Sequence, residues 1–591
     1  MTTIRYLLSS LRFHRRTHLG VAAGTAVAAT VLIGALMVGD SVRTSLTRLT
    51  LSRLGGSDFV MVARERFFRA DLAGRLRAGP ADRIAAALLL NGVALAPEGD
   101  RRVNDVQVVG VDDAFWELAP QPTAPPRLED GACLINGALA DRLGVKGPGD
   151  ALVLRLRKPG GLPADLTLAA READTWSRRL RVAGVQTPDA FGLFTLKITQ
   201  TPPPTVFVPL SWLGAQLDLA DRANVLLIQG SPAGPASNTA KLSSSFDPNR
   251  NRNRNHNRNP FSTSGLRSRL GLRLRWQQPL NLAALDEASA TPDAWQARLD
   301  ACWRLDDAGL RVEPLPDGRA ELQSEHVFIA PSIAEAAFRM AAGVSTVITY
   351  FVNRIESGGR ATPYSFASAA GPPRVPETLA DSEVLINDWL AEDLKVSPGS
   401  PLTLAYYAVD AGGRLEERTA AFTVAGIVPT AEVAAADRRL APAIPGLSDT
   451  ANCRDWDPGI PIDLRGIRDR DEAYWHAYGP LPKLYLARTA AERLWSNRFG
   501  VYTALRFPHA AGDAAAVADT LRRAVRARDL GFVIQPAKAA GLAASREAVD
   551  FGQLFAGLSF FLIAAAVLLA ALLFAFNVQQ RAEETATLRA L

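Results

Sequence analysis

The chain has 591 residues, enough for several domains. It is 48% hydrophobic with a mean hydropathy of +0.03, which excludes a channel of many membrane spans and fits a large soluble part carried on a few helices. The net charge of +6 is small for this length and comes partly from the N-terminus and one low-complexity stretch, so a nucleic-acid partner is not expected.

The N-terminal segment predicts a membrane anchor. Residues 1–18 form a short cytoplasmic segment without acidic residues, and residues 19–38 are an uncharged run of 20 residues. A cleaved signal peptide is the alternative, but its apolar region usually has about 7–15 residues and an A-x-A site follows it. The basic residues that place the N-terminus in the cytoplasm are Arg5, Arg12, Arg15 and Arg16. Residues 39–553 are therefore expected outside.

An internal repeat predicts how this outer region is organised. Residues 133–154 resemble residues 384–404, and both contain a Pro-Gly pair before the last apolar stretch. At a constant offset of 251, Leu134, Ile135, Asn136, Leu139, Ala140, Leu143 and Val145 match Leu385, Ile386, Asn387, Leu390, Ala391, Leu394 and Val396. The pattern predicts a buried strand, an Asn that caps a short helix, a Pro-Gly turn and a second strand.

Later pieces recur in the same order, including the Val-Ala-Gly stretches of residues 180–185 and 422–427. We therefore expect two related α+β modules, at residues 39–230 and 279–550. Between them, residues 231–278 contain an Asn/Arg run that predicts a disordered linker with too little apolar content to fold. A basic arm for anionic lipid or nucleic acid is the alternative.

The last apolar run, residues 554–576, has 23 residues without charge or proline. A helix needs about 20 residues to cross a bilayer, so this run predicts a second transmembrane helix. Residues 577–591 follow as a charged, helix-favouring tail without a Gly or Pro stop. The tail is expected to be the start of a longer, truncated cytoplasmic segment.

Motifs of catalysis and cofactor binding are missing from the sequence. There is no P-loop, no G-x-S-x-G and no H-E-x-x-H. The three cysteines, Cys133, Cys302 and Cys453, are widely spaced; they are expected as free thiols, with a Cys133–Cys453 bridge left open. We therefore expect a non-catalytic chain with no metal or cofactor.

One segment, residues 448–478, is rich in aspartate and arginine. Its aspartates could bind a hard cation such as calcium, but their spacing fits no known loop. Ion pairs with neighbouring arginines are the expected alternative. The aspartates are Asp455, Asp457, Asp463, Asp469 and Asp471, and the arginines are Arg454, Arg465, Arg468 and Arg470.

The C-terminal tail, Q-R-A-E-E-T-A-T-L-R-A-L, carries a family resemblance. Together with the Phe-rich helix before it, the tail resembles the FtsX-like (MacB-type) permease family of ABC transporters. The residues that match the family's R-x-x-E-I-G-x-L-R-A-L-G stretch are Arg581, Glu584, Leu588, Arg589, Ala590 and Leu591. Thr585 and Ala586 depart from the usual Ile-Gly, and the final Gly is missing. The basic N-terminus, Gly39-Asp40-Ser41-Val42-Arg43 and the V-A-G strands resemble the family's N-terminal region and periplasmic core.

The resemblance implies a non-catalytic permease subunit in the cell inner membrane, the N-terminal portion of a larger permease with at least four transmembrane helices. The implied partners are a separate cytoplasmic ABC ATPase, a second permease chain in a homodimer or heterodimer, and the lipid bilayer. The six matched tail residues would contact the ATPase, and the cargo would be a lipoprotein, a peptide or a small molecule. A two-helix sensor or scaffold with a large extracytoplasmic binding domain remains the alternative.

Overall fold

The structure is a computed structural model that describes residues 5, 9, 11–13, 15–547 and 551–590, apart from internal gaps. The gaps are residues 64–65, 78, 80–81, 122–126, 160–174, 198, 200, 231–290, 373, 410–413, 438, 445, 449 and 457–460. In the first and last helices the backbone is described throughout, but only part of the side chains. The expected linker, residues 231–278, lies outside the described residues.

The helices range from single turns to two of 40 residues. They are α1 (Arg15–Leu54), α2 (Leu72–Leu76), α3 (Asp113–Glu117), α4 (Gly137–Leu143), α5 (Leu210–Gln216), α6 (Pro292–Cys302), α7 (Pro331–Met340), α8 (Asp388–Leu394), α9 (Thr430–Ala436), α10 (Asp469–Tyr478), α11 (Arg488–Trp495), α12 (Ala514–Ala524), α13 (Ala537–Glu547) and α14 (Phe551–Ala590).

The strands fall into a first and a second set along the chain, with one exception at the C-terminal end. The first set is β1 (Phe59–Val62), β2 (Phe68–Arg69), β3 (Arg83–Leu95), β4 (Arg102–Val111), β5 (Ala132–Asn136), β6 (Ala151–Arg157), β7 (Thr175–Gln186), β8 (Thr205–Pro209), β9 (Arg222–Ala223) and β10 (Val225–Gln229). The second is β11 (Leu310–Pro314), β12 (Ala320–Ser324), β13 (Ser345–Ser357), β14 (Arg360–Ala369), β15 (Glu383–Asn387), β16 (Pro401–Val409), β17 (Leu415–Val428), β18 (Leu484–Leu486), β19 (Ala504–Phe507) and β20 (Ile534–Gln535).

Two nine-stranded sheets with the same strand order form the body. The first has the order β20-β1-β10-β3-β4-β8-β5-β7-β6, and the second has the order β11-β12-β19-β13-β14-β18-β15-β17-β16. In each, the last strand also pairs with the long strand in the middle, β6 with β3 and β16 with β13. Six strands therefore close into a barrel, which we call barrel 1 and barrel 2, and three strands extend from it.

The repeated sequence unit forms the same local structure in both barrels. The Asn136 side chain accepts from the Leu139 N–H at 3.0 Å, and the Asn387 side chain accepts from the Leu390 N–H at 2.8 Å. Both therefore cap the short helix that follows, as predicted. In the Pro-Gly turns, Gly149 and Gly399 have φ of +99° and +90°, a region that glycine adopts without cost.

The Val-Ala-Gly stretches are β-bulges. Cys133 pairs with Val182 but Leu134 pairs with Gly184, so Ala183 is the extra residue. The second barrel has the same shift, between Val384 and Leu385. A Cβ on Gly184 or Gly426 would lie 3.3 or 3.2 Å from the leucine on the facing strand, which explains the small residue at this place.

The two sheets share one apolar core. It contains Met61, Phe68 and Leu72 from the first part of the chain and Trp295, Leu505 and Phe532 from the second, all at most 1% exposed. The last strand, β20, belongs to the first sheet although it follows the second set in the chain. The C-terminal part of the chain therefore returns to the first sheet, where β20 pairs with β1.

The two long helices lie against each other. A Cβ on Gly20 would lie 3.9 Å from Leu573 Cδ1, so α1 and α14 are in contact along these segments. In the part of the chain that the structure describes, no helix combines the length and hydropathy required for a membrane span.

Candidate functional site

Helix α1 turns into the first sheet through Gly55 and Gly56. Gly55 has a φ of +54°, and a Cβ there would lie 2.2 Å from the Leu118 carbonyl oxygen. The Gly56 N–H donates to that same oxygen at 2.7 Å. Only glycine fits at residue 55, because any side chain would collide with backbone. The end of α1 is therefore fixed directly onto the start of β1.

The chain leaves the first sheet beside the point where it enters. Strand β20 pairs antiparallel with β1, with Met61 opposite Ile534, and α13 follows at once. The Lys538 ammonium donates to the Asp58 carboxylate at 2.9 Å, and the Lys538 N–H donates to the Asp58 carbonyl at 3.2 Å. The other Asp58 carboxylate oxygen accepts from the Gly230 N–H at 2.9 Å.

Helix α13 also lies on the last turns of α1. A Cβ on Gly541 would lie 2.8 Å from Thr50 Cγ2, so the two helices approach as closely as glycine allows. We call Gly55, Gly56, Asp58, Lys538 and Gly541 the helix junction. It fixes the incoming and outgoing helices to two neighbouring strands of one sheet.

Charged and polar side chains join the first part of the chain to the second. The Arg75 guanidinium donates to both Asp307 oxygens at 2.7 and 3.0 Å, and the Asp307 side chain is fully buried. The Arg222 guanidinium donates to both Glu325 oxygens at 3.0 Å. The buried Gln296 amide donates to the Phe532 carbonyl and accepts from the Ile534 N–H, both at 3.0 Å. Such two-point contacts fix both orientation and distance.

A buried charge cluster lies at one end of barrel 2. It holds the long connection between β17 and β18 in place. We call this connection, residues 429–483, the barrel-2 insert. Arg468 donates to Asp393 at 3.0 and 2.5 Å and to Asp471 at 2.7 Å, and Arg470 lies 2.8 Å from Asp393. The expected ion pairs are confirmed for three of the five aspartates: Asp471 with Arg468, Asp469 with Arg454 at 2.7 Å, and Asp463 with Arg465 at 3.6 Å. Asp455 instead accepts from the Asn452 amide at 2.7 Å, and Asp457 lies outside the described residues.

Lys483 is completely enclosed in this cluster. Its ammonium lies 4.0 Å from the Trp389 ring centroid, 4.7 Å from the Tyr474 ring centroid and 3.8 Å from Asp471. Burial lowers the pKa of Lys483 to about 8, against the attraction of Asp471 and Asp393. The adjoining cavity has about 20 Å³, room for one water, whereas ligand pockets have about 300–1,000 Å³. The cluster therefore fastens the insert and has no space for a substrate.

The described residues contain no group of three His, Cys, Asp or Glu side chains arranged to hold a metal ion. Cys133, Cys302 and Cys453 are free thiols in the structure. Burial raises the pKa of Cys133 and of Cys453 to about 12, so both are unreactive as nucleophiles at neutral pH.

The predicted ATPase-contact residues are at the C-terminal end of α14. Arg581, Glu584 and Leu588 are helical in backbone, and their side chains lie outside the described part. Arg589 and Ala590 are exposed. Leu591 lies outside the described residues.

Sequence reasoning did not identify the helix junction or the contacts between the sheets. Gly55-Gly56 marks a helix end in the sequence, but nothing there shows that Asp58 meets Lys538, 480 residues later. The recurrence of strands in the sequence indicates that the two copies form sheets, but it does not show which residues at the ends of the strands are in contact.

The comparisons with known proteins give matches among solved structures. No protein-family model and no curated protein matches the chain. Among solved structures, the extracellular domain of the noncanonic ABC-type transporter YknZ from Gram-positive bacteria is 12% identical, with a TM-score of 0.20, over 30% of this chain and 84% of that one.

Two further solved structures are similar. The periplasmic region of MacB from Actinobacillus actinomycetemcomitans is 10% identical, with a TM-score of 0.21, over 33% of this chain and 82% of that one. A domain assigned to a permease protein from Porphyromonas gingivalis is 14% identical, with a TM-score of 0.19, over 31% and 77%. The names of these three proteins agree with the family that the C-terminal tail resembles. TM-scores of 0.19–0.21 carry no argument about fold or activity.

Proposed function

We propose that the chain is the permease-type membrane subunit of an ABC transporter, similar to the FtsX/MacB family. It would transmit ATP-driven motion from the cytoplasm to a large periplasmic body, for export or extraction of a lipoprotein, a peptide or a small molecule. The observation that carries the proposal is the helix junction, where the 40-residue helix α1 and the 11-residue helix α13 attach to neighbouring strands of one sheet, and α13 precedes the 40-residue helix α14 in the chain.

The surfaces of the long helices support a place in the bilayer. Large apolar side chains are exposed along both proposed spans, residues 19–38 and 554–576. They are Leu19, Val27, Ile33, Met37, Val38, Phe560, Phe561, Val567, Leu568, Leu569, Leu572, Phe574 and Phe576. Apolar exposure on this scale is costly in water and favourable in lipid. We place the chain in the cell inner membrane with residues 39–553 outside.

The helix lengths suit a mechanical role. Each helix of 40 residues is about 60 Å long, twice the hydrocarbon thickness of about 30 Å. Beyond residue 38, α1 continues without a break for about 24 Å to the junction. A continuous helix has all its backbone bonds internal, so it transmits displacement with little loss.

The path continues through the body. A displacement of α1 and α13 would move β1 and β20, to which they are attached. The ion pairs Arg75–Asp307 and Arg222–Glu325 would then transmit this displacement to the second part of the body. On this proposal the modules at residues 39–230 and 279–550 move together. Residues 231–278 would connect them as a linker that transmits no force.

The energy source would be a separate cytoplasmic ABC ATPase, since the sequence has no P-loop. Within residues 577–591, the proposed contact consists of Arg581, Glu584, Leu588, Arg589, Ala590 and Leu591. A dimer, with a second copy or another permease, would give the ATPase pair two such contacts.

The charge reversal Glu584→Lys tests this contact. The variant should insert into the membrane normally but should no longer co-purify with the ATPase or stimulate its hydrolysis, because the proposed contact loses its acidic group. The matched control is Glu583→Lys, which makes the same charge change about 100° around the helix. Retention of wild-type stimulation by Glu584→Lys would refute the assigned contact.

The sensor or scaffold alternative gives a different result in the same experiment. A purified full-length chain that neither binds an ABC ATPase nor stimulates its hydrolysis would contradict the permease proposal and favour the alternative. Impermeant thiol labelling of Asp513→Cys but not Ala582→Cys in intact cells checks the proposed orientation independently of the ATPase.

A further inference from the structure

A second repeated unit contributes to the apolar core that the two sheets share. Residues 292–315, with α6 and β11, correspond to residues 514–537, with α12 and β20, at a constant offset of 222. In both units a glycine with positive φ lies shortly before the strand, Gly309 at +67° and Gly531 at +88°. The helix of each unit packs on the strand of the other, α6 on β20 and α12 on β11. The body therefore contains two equivalent helix–strand interfaces.

In the first sheet, a side chain closes the edge. Strand β20 is the edge strand, and an antiparallel edge strand directs alternate N–H and C=O groups away from its sheet. The Gln296 amide of α6 accepts from the Ile534 N–H and donates to the Phe532 carbonyl, both at 3.0 Å. It bonds these groups as a neighbouring strand would, and Gln296 is 3% exposed. The amide therefore fixes α6 to β20.

In the second sheet, the equivalent edge strand is β11, and its outward groups are the Leu310 carbonyl and the Val312 N–H. The Glu325 N–H donates to the Gly309 carbonyl at 2.8 Å, which turns residue 309 toward β12 and the next residue outward. The helix residue at the offset position of the amide is Ala518, which has no polar side chain. Among the described residues, neither outward group has a hydrogen-bond partner.

Further polar contacts fasten α6 to the first part of the chain. The Arg75 guanidinium donates to the Cys302 carbonyl, at the end of α6, at 2.7 Å. The Arg298 guanidinium lies 3.3 Å from the Asp82 carboxylate, and the Asp82 side chain is buried. Hydrogen bonds have a preferred length and direction, so these contacts and the amide together hold α6 in one position.

Helix α12, by contrast, packs on β11 through apolar side chains. The residues of these two elements that belong to the shared core are Leu310, Val312, Val517, Ala518 and Leu521. Apolar burial stabilises without a preferred direction. This interface therefore allows a small displacement that a directed hydrogen bond would resist.

The polar contacts of α12 and the turn after it favour α6 over the second sheet. The Ala527 N–H donates to the Asp300 carboxylate of α6 at 2.7 Å, and Arg522 donates to a carbonyl of α6 at 3.2 Å. Toward the second sheet, the Ser332 hydroxyl of α7 donates to the Asp529 carbonyl at 3.4 Å, beyond the usual length of such a bond. Helix α12 is thus tied more closely to α6.

We infer that the body yields by shear between α12 and β11, whereas α6 and β20 move as one piece. A displacement of β20 would carry α6 through the Gln296 amide and α12 through its bonds to α6. Strand β11 would stay with the second sheet, to which its pairing with β12 fixes it. Sliding of packed elements by small distances is a common form of domain motion. The ion pair Arg222–Glu325, directly after β12, would be the pivot.

Residue-resolved hydrogen exchange of the full-length chain in detergent tests the inference. It requires no ATPase, so the result is independent of the proposed transport function. In the wild-type chain, the amides of α12 and Val312 should exchange about tenfold faster than those of α6 and Ile534, because the α12 interface lacks the two amide bonds. Ala518→Gln places an amide there and should slow exchange in α12 and at Val312 about tenfold. Gln296→Ala, the reverse change, should raise exchange in α6 and at Ile534 by a similar factor.

The matched control is Ala516→Gln. It adds the same side chain at an exposed position about 200° around α12 from residue 518, so exchange at Val312 should stay at the wild-type rate. Two outcomes would overturn the inference. One is exchange in wild-type α12 as slow as in α6, a comparison that needs no variant. The other is an equal effect of Ala518→Gln and Ala516→Gln on Val312.

Discussion

Single residues fix the geometry of the helix junction and the charge of the barrel-2 cluster. Gly55 is set by a positive φ and by the Leu118 carbonyl 2.2 Å from where its Cβ would be. The Lys483 ammonium is buried between Trp389 and Tyr474, and this burial lowers its pKa to about 8. Each of these two residues leads to a testable prediction.

Gly55→Ala should destabilise the body by more than about 2 kcal/mol, because the new methyl group adds a backbone collision to the cost of positive φ. Gly99 has a φ of +77° with nothing within 4 Å of its Cβ position. Gly99→Ala should therefore cost only about 1 kcal/mol, the conformational part. Thermal unfolding of the two variants measures the difference, and equal costs would contradict the tight fit at Gly55.

Lys483 should make stability rise with pH. Its pKa is about 8 in the folded chain and 10.5 ordinarily, so between these values the unfolded chain binds more protons. Relative to Lys483→Met, the wild-type chain should gain about 1 kcal/mol per pH unit from pH 8 to 10. Urea unfolding across this range measures it. A stability difference between the wild-type chain and Lys483→Met that stays constant across this range would contradict the burial argument.

At the scale of elements, the two barrels show which structural features of the repeat are determined by neighbouring residues in the sequence. The capping Asn and the Pro-Gly turn appear in both, at the positions that the sequence predicts, and the recurring Val-Ala-Gly stretch forms a bulge in both. The Asn side chains nevertheless have different surroundings. Asn136 makes four hydrogen bonds, with the Leu139 N–H, the Thr205 N–H, the Gly192 carbonyl and the Pro203 carbonyl.

Asn136→Ala should therefore cost more than Asn387→Ala. The first leaves several buried groups without partners, about 4 kcal/mol, while the second loses a helix cap and one bond to Tyr474, about 2 kcal/mol. Hydrogen exchange of the amides in α4 and α8 compares the two losses locally. Equal losses would mean that Asn136 acts as a cap only.

At the scale of the whole molecule, ion pairs between the sheets decide how motion could pass from one to the other. Arg75→Met would leave the fully buried Asp307 without its guanidinium partner. Breaking a buried pair from one side costs about 3–5 kcal/mol, so hydrogen exchange in α2 and α6 should rise steeply. Arg339→Met, which removes an exposed pair to Glu335 at 3.7 Å, should change exchange little. Similar effects would contradict the interface.

The sequence predicted the repeat but not how the copies are assembled. Helix caps and Pro-Gly turns depend on residues within a few positions of each other, so they can be predicted from the sequence. The barrel closure between β3 and β6 and the return of β20 to β1 join distant segments, and periodicity does not encode which strands meet.

The sequence by itself determined two long apolar segments, the duplicated α+β unit with its capping Asn136 and Asn387, and the lack of recognised catalytic motifs. These follow from local composition and spacing. Only the tertiary structure decided that α1 and α13 attach to neighbouring strands and that Asp58 meets Lys538. It also decided that residues 461–464 cover barrel 2 at Tyr364. Such contacts depend on the folding of the whole chain, since the residues that make them are up to 480 positions apart.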